Sequence, residues 1–277
     1  MFVMRRFLAA ATLLLAFLPS FASAQSLPVQ VTVSGNTATA VIGNPVNPWA
    51  DVTLTFDGVS GLSAASLGLS AQLVSLQDGA LTARLPDVQY NQIDPAFPVL
   101  LTIEPPANGG LQFRTVRVDV HTHALTYATG SSYRLFKSPL NGAFSDITDE
   151  VAPGSVRARG TTGGFSQFLV LTDVRQTGAV VAAKIASLRA RIATLPAGER
   201  PAFDTLVNQA EAAVATGDYA TAIAAIDQVR SRALARAGVQ LADAWRAARD
   251  LDNQAGDLVA LSATLRFSVA YLRDFGQ

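Results

Sequence analysis

The sequence predicts an α+β protein with its two kinds of structure segregated: an antiparallel β-sandwich of immunoglobulin-like architecture, then an antiparallel helical bundle. Three observations carry this. Apolar side chains recur at every second residue from Gln25 to about Arg175, and at every third or fourth beyond Gln176-Thr177-Gly178. Gly, Pro, Asn and Asp crowd between the runs of the first part, whereas Ala, Leu and Arg fill the second. The 277 residues suffice for two apolar cores. The predicted organisation is residues 1–24 as a signal peptide, 25–175 as the sandwich and 178–277 as the bundle.

The amino terminus reads as an export signal. Arg5 and Arg6 precede an apolar run from Phe7 to Leu18, Pro19 breaks it, and Ala22-Ser23-Ala24 offers small residues at a cleavage site after Ala24. A 12-residue run falls short of the roughly 20 that a membrane-spanning helix needs. The general secretory route and a periplasmic or extracellular destination are therefore expected. No later stretch reads as a membrane span. The chain has no cysteine, which removes disulfides, thiolate nucleophiles, cysteine metal sites and a lipidated cysteine.

In the first part, Val29-Val31-Val33, Val52-Leu54-Phe56, Val99-Leu101-Ile103, Val116-Val118-Val120 and Phe165 to Leu171 read as half-buried strands. Each places its apolar side chains on one face, so two sheets must pack together to hide them. Gly35-Asn36, Asp57-Gly58, Asp78-Gly79, Asn108-Gly109-Gly110 and Asn141-Gly142 are the expected turns.

In the second part, Val181, Ile185, Leu188, Ile192 and Leu195 step by 4, 3, 4 and 3 along one helical stripe, which Pro196-Ala197-Gly198 ends. A second helix begins near Glu199, with Pro201 tolerated in its first turn. Gly217 stops it, and Asp218 caps a third that runs to Gly238. A last helical stretch is expected from about Gln240 to Phe275, carrying Trp245 and Leu258, with a break at Asn253 to Gly256. No helix is expected before residue 175 and no ladder after it. Gly217 to Ala222, with Ala210 upstream, resembles the middle of a tetratricopeptide unit. One such unit implies a helical hairpin rather than a solenoid.

Charge excludes a nucleic-acid role. The chain holds 21 Lys+Arg and 21 Asp+Glu, and without the leader the net is −2, so no surplus of cations exists to displace phosphate counterions. No nucleophile elbow, phosphate-cradling loop or pair of catalytic carboxylates appears. A non-catalytic protein without a cofactor is expected, with an unknown protein or glycan of the cell envelope as partner.

The one constellation with chemistry is His121 and His123, at i and i+2 on a strand and so on the same face, joined there by Asp119. Two imidazoles about 7 Å apart along a strand can lean onto one Zn²⁺, and Asp119 offers an oxygen. Plain polar residues on an outer sheet face are the commoner outcome of such a pattern. The acids of Asp146-Ile147-Thr148-Asp149-Glu150 are expected to face water, as is the break at Asp250 to Asn253, which lacks the glycine and terminal Glu of a calcium loop. Trp49, Tyr90, Phe97, Tyr127, Tyr133 and Phe136 would let a sandwich stack on sugar rings, which makes a glycan or peptidoglycan binder a second alternative; core filling is the commoner fate of such rings.

Phe97 to Pro106, His121-Thr122-His123-Ala124-Leu125-Thr126-Tyr127, Arg134-Leu135-Phe136-Lys137 and Gly163 to Leu169 together resemble an uncharacterised family of exported gammaproteobacterial proteins. The resemblance covers most of the β part and implies export and an envelope setting. It supplies no catalytic residue.

Overall fold

The computed structural model describes residues 24–276, so the expected signal segment up to Ser23 lies outside the described residues. The chain opens with β1 (Gln25–Leu27), β2 (Val29–Ser34), β3 (Thr37–Asn44) and β4 (Asn47–Asp57). It continues through α1 (Ala64–Leu67), β5 (Leu69–Leu73), α2 (Gly79–Thr82), β6 (Asn91–Ile93), β7 (Val99–Ile103) and β8 (Gln112–Phe113). Then come β9 (Thr115–Thr126), β10 (Tyr133–Ser138), β11 (Ser145–Asp146), β12 (Thr148–Ala152), β13 (Ser155–Thr162) and β14 (Gln167–Asp173). The remainder is α3 (Thr177–Ala193), α4 (Arg200–Ala215), α5 (Tyr219–Arg236), β15 (Trp245–Arg246) and α6 (Gln254–Phe275).

Two antiparallel sheets form the amino-terminal part. One runs β12-β13-β9-β4-β3-β2; the other runs β1-β5-β7-β14-β10-β11, with β6 also on β14. All five strands read from alternation are present. Their period of two puts Val52, Leu54, Val116, Val118 and Val120 of the first sheet into one apolar cluster with Leu101, Ile103, Phe168 and Val170 of the second. Gly35 makes the β2–β3 turn with φ of +59°, a left-handed conformation that glycine adopts without strain.

The carboxy-terminal part is helical, with a core of its own from Val181 and Leu188 of α3, Phe203 and Val207 of α4, Ile226 and Val229 of α5, and Leu258 and Val269 of α6. Ala210 and Ala222 are fully buried, so α4 and α5 pack closely, and the Asp218 side chain accepts from the Thr221 N–H at 3.1 Å to start α5.

The division at residue 175 is not absolute. Two one-turn helices precede it. Ser63 and Ser66 form a reciprocal capping box on α1, and the expected Asp78-Gly79 turn is instead the start of α2, where Asp78 accepts from Ala80 and Leu81. One short ladder follows it. The segment expected to carry Trp245 on a helix pairs with the first part, Trp245 opposite Phe113, and the indole packs 4.9 Å from the Phe113 ring and 5.6 Å from Phe165. Packing a large aromatic ring against the sheet core outweighs a local pattern equally compatible with a helix.

Helix α6, at 22 residues and a mean hydropathy of 1.2 over its best window, is by length and composition long enough to cross a membrane, which the sequence reading had not expected. Half of that window is buried within the fold, because α6 lies between the helical core and strands β12 and β13.

Two buried polar contacts hold this junction. Lys184 of α3 reaches Asp146 at 2.6 Å and also donates to Thr264 Oγ1 at 2.6 Å and Ser268 Oγ at 2.9 Å. Thr148 donates to the same aspartate through its N–H and its hydroxyl. Burial pushes the Asp146 carboxyl up, but Lys184, Arg134 and these hydrogen bonds outweigh it and hold the group below the usual carboxylate range. The acidic run is therefore not the solvated turn expected: α3 and α6 cover it, and Glu150 pairs with Arg117 and Arg159. Asn253 is likewise buried rather than solvated. Its amide donates to the Arg114 carbonyl at 2.6 Å and the Gly163 carbonyl at 2.7 Å, while its oxygen caps α6 by accepting from Gly256. The backbones meet so closely that a Cβ on Gly256 would stand 2.3 Å from the Arg114 oxygen.

Candidate metal site on the outer sheet face

Strand β9 lies between β4 and β13, with its valines turned to the core and Arg117, Asp119, His121 and His123 outward. The pairing register sets Asp51 of β4 opposite His121 on one side and Arg157 of β13 opposite it on the other. His121 and His123 lie on one face as their spacing requires, with ring centroids 4.6 Å apart.

The carboxylate that meets them is Asp51. Its Oδ2 stands 3.0 Å from His123 Nε2 and 3.7 Å from His121 Nδ1, and the three ligand atoms all lie within 4.8 Å of one another. Asp119 shares the face but is engaged elsewhere: Arg159 Nε donates to its Oδ2 at 2.7 Å. The acid that the structure sets beside the two histidines is thus Asp51, where Asp119 was expected. Asp51 carries a faint signal, an acid in the outward phase of β4 beside Thr53 and Thr55, yet only the inter-strand register sets it against His121.

Ligands about 2.0–2.2 Å from a tetrahedral Zn²⁺ stand roughly 3.4 Å from one another, and the two carboxylate distances bracket that value. His121 is the more shielded imidazole, with 18% of its side chain exposed against 36% for His123. Burial, then Arg157 and His123, lower its pKa against the opposing pull of Asp51 and Asp119. Ser155 Oγ lies 2.6 Å from His121 Nε2. Were Nδ1 to ligate a metal, Nε2–H would donate to that hydroxyl, an arrangement that sets tautomer and ring orientation for a ligating histidine.

Ser155, His121 and Asp51 also fall in the spatial order of a hydrolytic triad. The 3.7 Å between His121 and Asp51 is too long for the orienting hydrogen bond, and the carboxylate's nearer partner is His123. The set therefore suits ligation better than general-base activation of the serine. Of the aromatics considered for sugar stacking, Phe97 and Phe136 are fully buried, Trp49, Tyr127 and Tyr133 pack against the core, and Tyr90 alone is exposed.

The chain belongs to a family of unknown function, DUF6689, whose model matches residues 11–273. No curated protein matches it. No solved structure matches it either.

Proposed function

We propose that the protein is an exported, non-catalytic binding module of the bacterial envelope whose outer sheet face takes up a divalent transition metal, Zn²⁺ being the best fit, through Asp51, His121 and His123. The convergence of one carboxylate oxygen and two imidazole nitrogens within 4.8 Å carries this reading. Two nitrogens and one oxygen suit zinc better than calcium or magnesium, which prefer all-oxygen shells. A fourth position is left to water or to a group on a partner protein or glycan. In architectural terms the paired sheets are an immunoglobulin-like sandwich and the helices an antiparallel bundle; export rests on the pattern of residues 1–24.

The test is elemental analysis of protein purified without a histidine tag and dialysed against Zn²⁺, beside the His121→Ala/His123→Ala and Asp51→Ala variants. One zinc per chain in the parent, absent from the double variant and reduced in Asp51→Ala, is the expected result. Equal metal in parent and double variant overturns the assignment.

A further inference from the structure

A second feature lies where α3 and α6 meet β10, β11 and β13. A cleft of about 450 Å³ opens there, lined mainly by apolar surface from Pro139, Phe144, Ile147, Val180 and Leu261, with Lys137 of β10 in its wall. That size and character are typical of small-molecule sites, which set a few polar groups among apolar walls.

The charges in the cleft are unequal in their satisfaction. Lys184 has Asp146 and two hydroxyls. Arg175 makes two bonds to Asp173, at 2.6 and 2.9 Å. Asp257 of α6 is held by Arg191 at 3.1 Å. Among the described residues lining the cleft, Lys137 is the cation without a carboxylate within 4.0 Å, and its one hydrogen bond, to Thr162 Oγ1 at 2.6 Å, leaves two of three N–H directions unused.

We infer that this cleft binds a small amphipathic carboxylate, its apolar body against Phe144 and Leu261 and its anion on the Lys137 ammonium. The ammonium is incompletely paired within the protein, and a carboxylate would supply both the charge and the acceptors it lacks. Its pKa agrees: burial pulls the group down to about 8, partly offset by Asp257 and reinforced by Arg249, which itself is bonded to Glu104. An anion would draw that value back up, so binding near pH 8 takes up a proton.

Titration calorimetry with phenylacetate and octanoate, each against its neutral amide, tests the inference. At least one acid should bind saturably and its amide roughly tenfold or more weaker. The apparent enthalpy should change between buffers of different ionisation heat at pH 8, reporting proton uptake that mere packing would not produce. Lys137→Met and Lys137→Gln should both lose binding by the same factor while keeping the parent's zinc content, which separates this cleft from the outer-face site. Failure of both acids to saturate by about 10 mM, an amide within tenfold of its acid, binding without proton uptake, or undiminished binding by the two variants overturns it.

Discussion

Asp51 with its two histidines and Asp146 with Lys184 are built from similar parts, a carboxylate facing nitrogen bases, and the fold uses them in opposite ways. On the outer sheet face the Asp51 side chain is 46% exposed and water screens its contacts. At the junction Asp146 and Lys184 are 2% and 8% exposed, and hydroxyls satisfy what the ion pair leaves open. An exposed pair contributes at most about 1 kcal/mol, so the fold does not depend on it and the groups remain available to a ligand. A buried pair contributes little beyond an apolar replacement, yet losing one member leaves an uncompensated charge, so it specifies which surfaces meet. Burial, rather than residue type, separates the site from the fastener.

Variants sharpen that contrast. Lys184→Met should cost about 3–5 kcal/mol in urea unfolding, because Asp146 is left buried and charged, while Lys184→Met/Asp146→Leu should recover most of the loss. A cost under about 1 kcal/mol for the single change would make the junction no different from the surface. Next in size, Asn253→Ala removes two bonds to buried carbonyls and the cap of α6, for about 2–3 kcal/mol. If these contacts couple the two parts, fluorescence of Trp245, read in a Trp49→Phe background, and far-ultraviolet dichroism should report one transition without the Asn253 change and two separate ones with it.

Lys137 extends the comparison to a half-buried cation with no carboxylate within 4.0 Å. Its folded pKa of about 8 lies below the roughly 10.4 of an unfolded lysine, so the folded state releases its proton first. The parent should therefore gain stability relative to Lys137→Met as pH rises from 8 to 10.4. Below pH 8 the variant should be the more stable by on the order of 2 kcal/mol, and above 10.4 that advantage should vanish. A pH-independent difference would show that the ammonium is solvated. The smallest effect is expected on the open face, where Asp51→Asn or His121→Ala should alter metal-free stability by no more than about 0.5 kcal/mol. The same changes should abolish a zinc-induced gain that reaches about 2.7 kcal/mol at one hundred times the dissociation constant.

Much of the fold is written in local pattern. The alternating valines of β4 and β9 and the 3–4 steps of α3 place their own residues, since each period follows from the backbone geometry of its element. Asp218 and Gly217 are legible as cap and stop for the same reason. The surroundings of Trp245, Asn253 and Asp146 are not legible locally, because nothing within a few residues of them reveals what lies above. Trp245 belongs to a sheet core whose other members, Phe113 and Phe165, are more than 75 residues away. Asn253 and Asp146 look like solvent-facing polar residues until α6 and α3 are laid over the strands.

By itself, then, the sequence determined the two kinds of structure, the approximate place where one gives way to the other, and the common face of His121 and His123, because strand and helix periods are properties of the local backbone. The tertiary structure alone decided that Asp51 rather than Asp119 stands beside the two histidines, that Asp146 of the acidic run is buried, and that an amphipathic cleft has Lys137 in its wall. Each of these depends on the register between strands or on the docking of helices upon a sheet, contacts between residues far apart in the chain whose geometry no short stretch encodes.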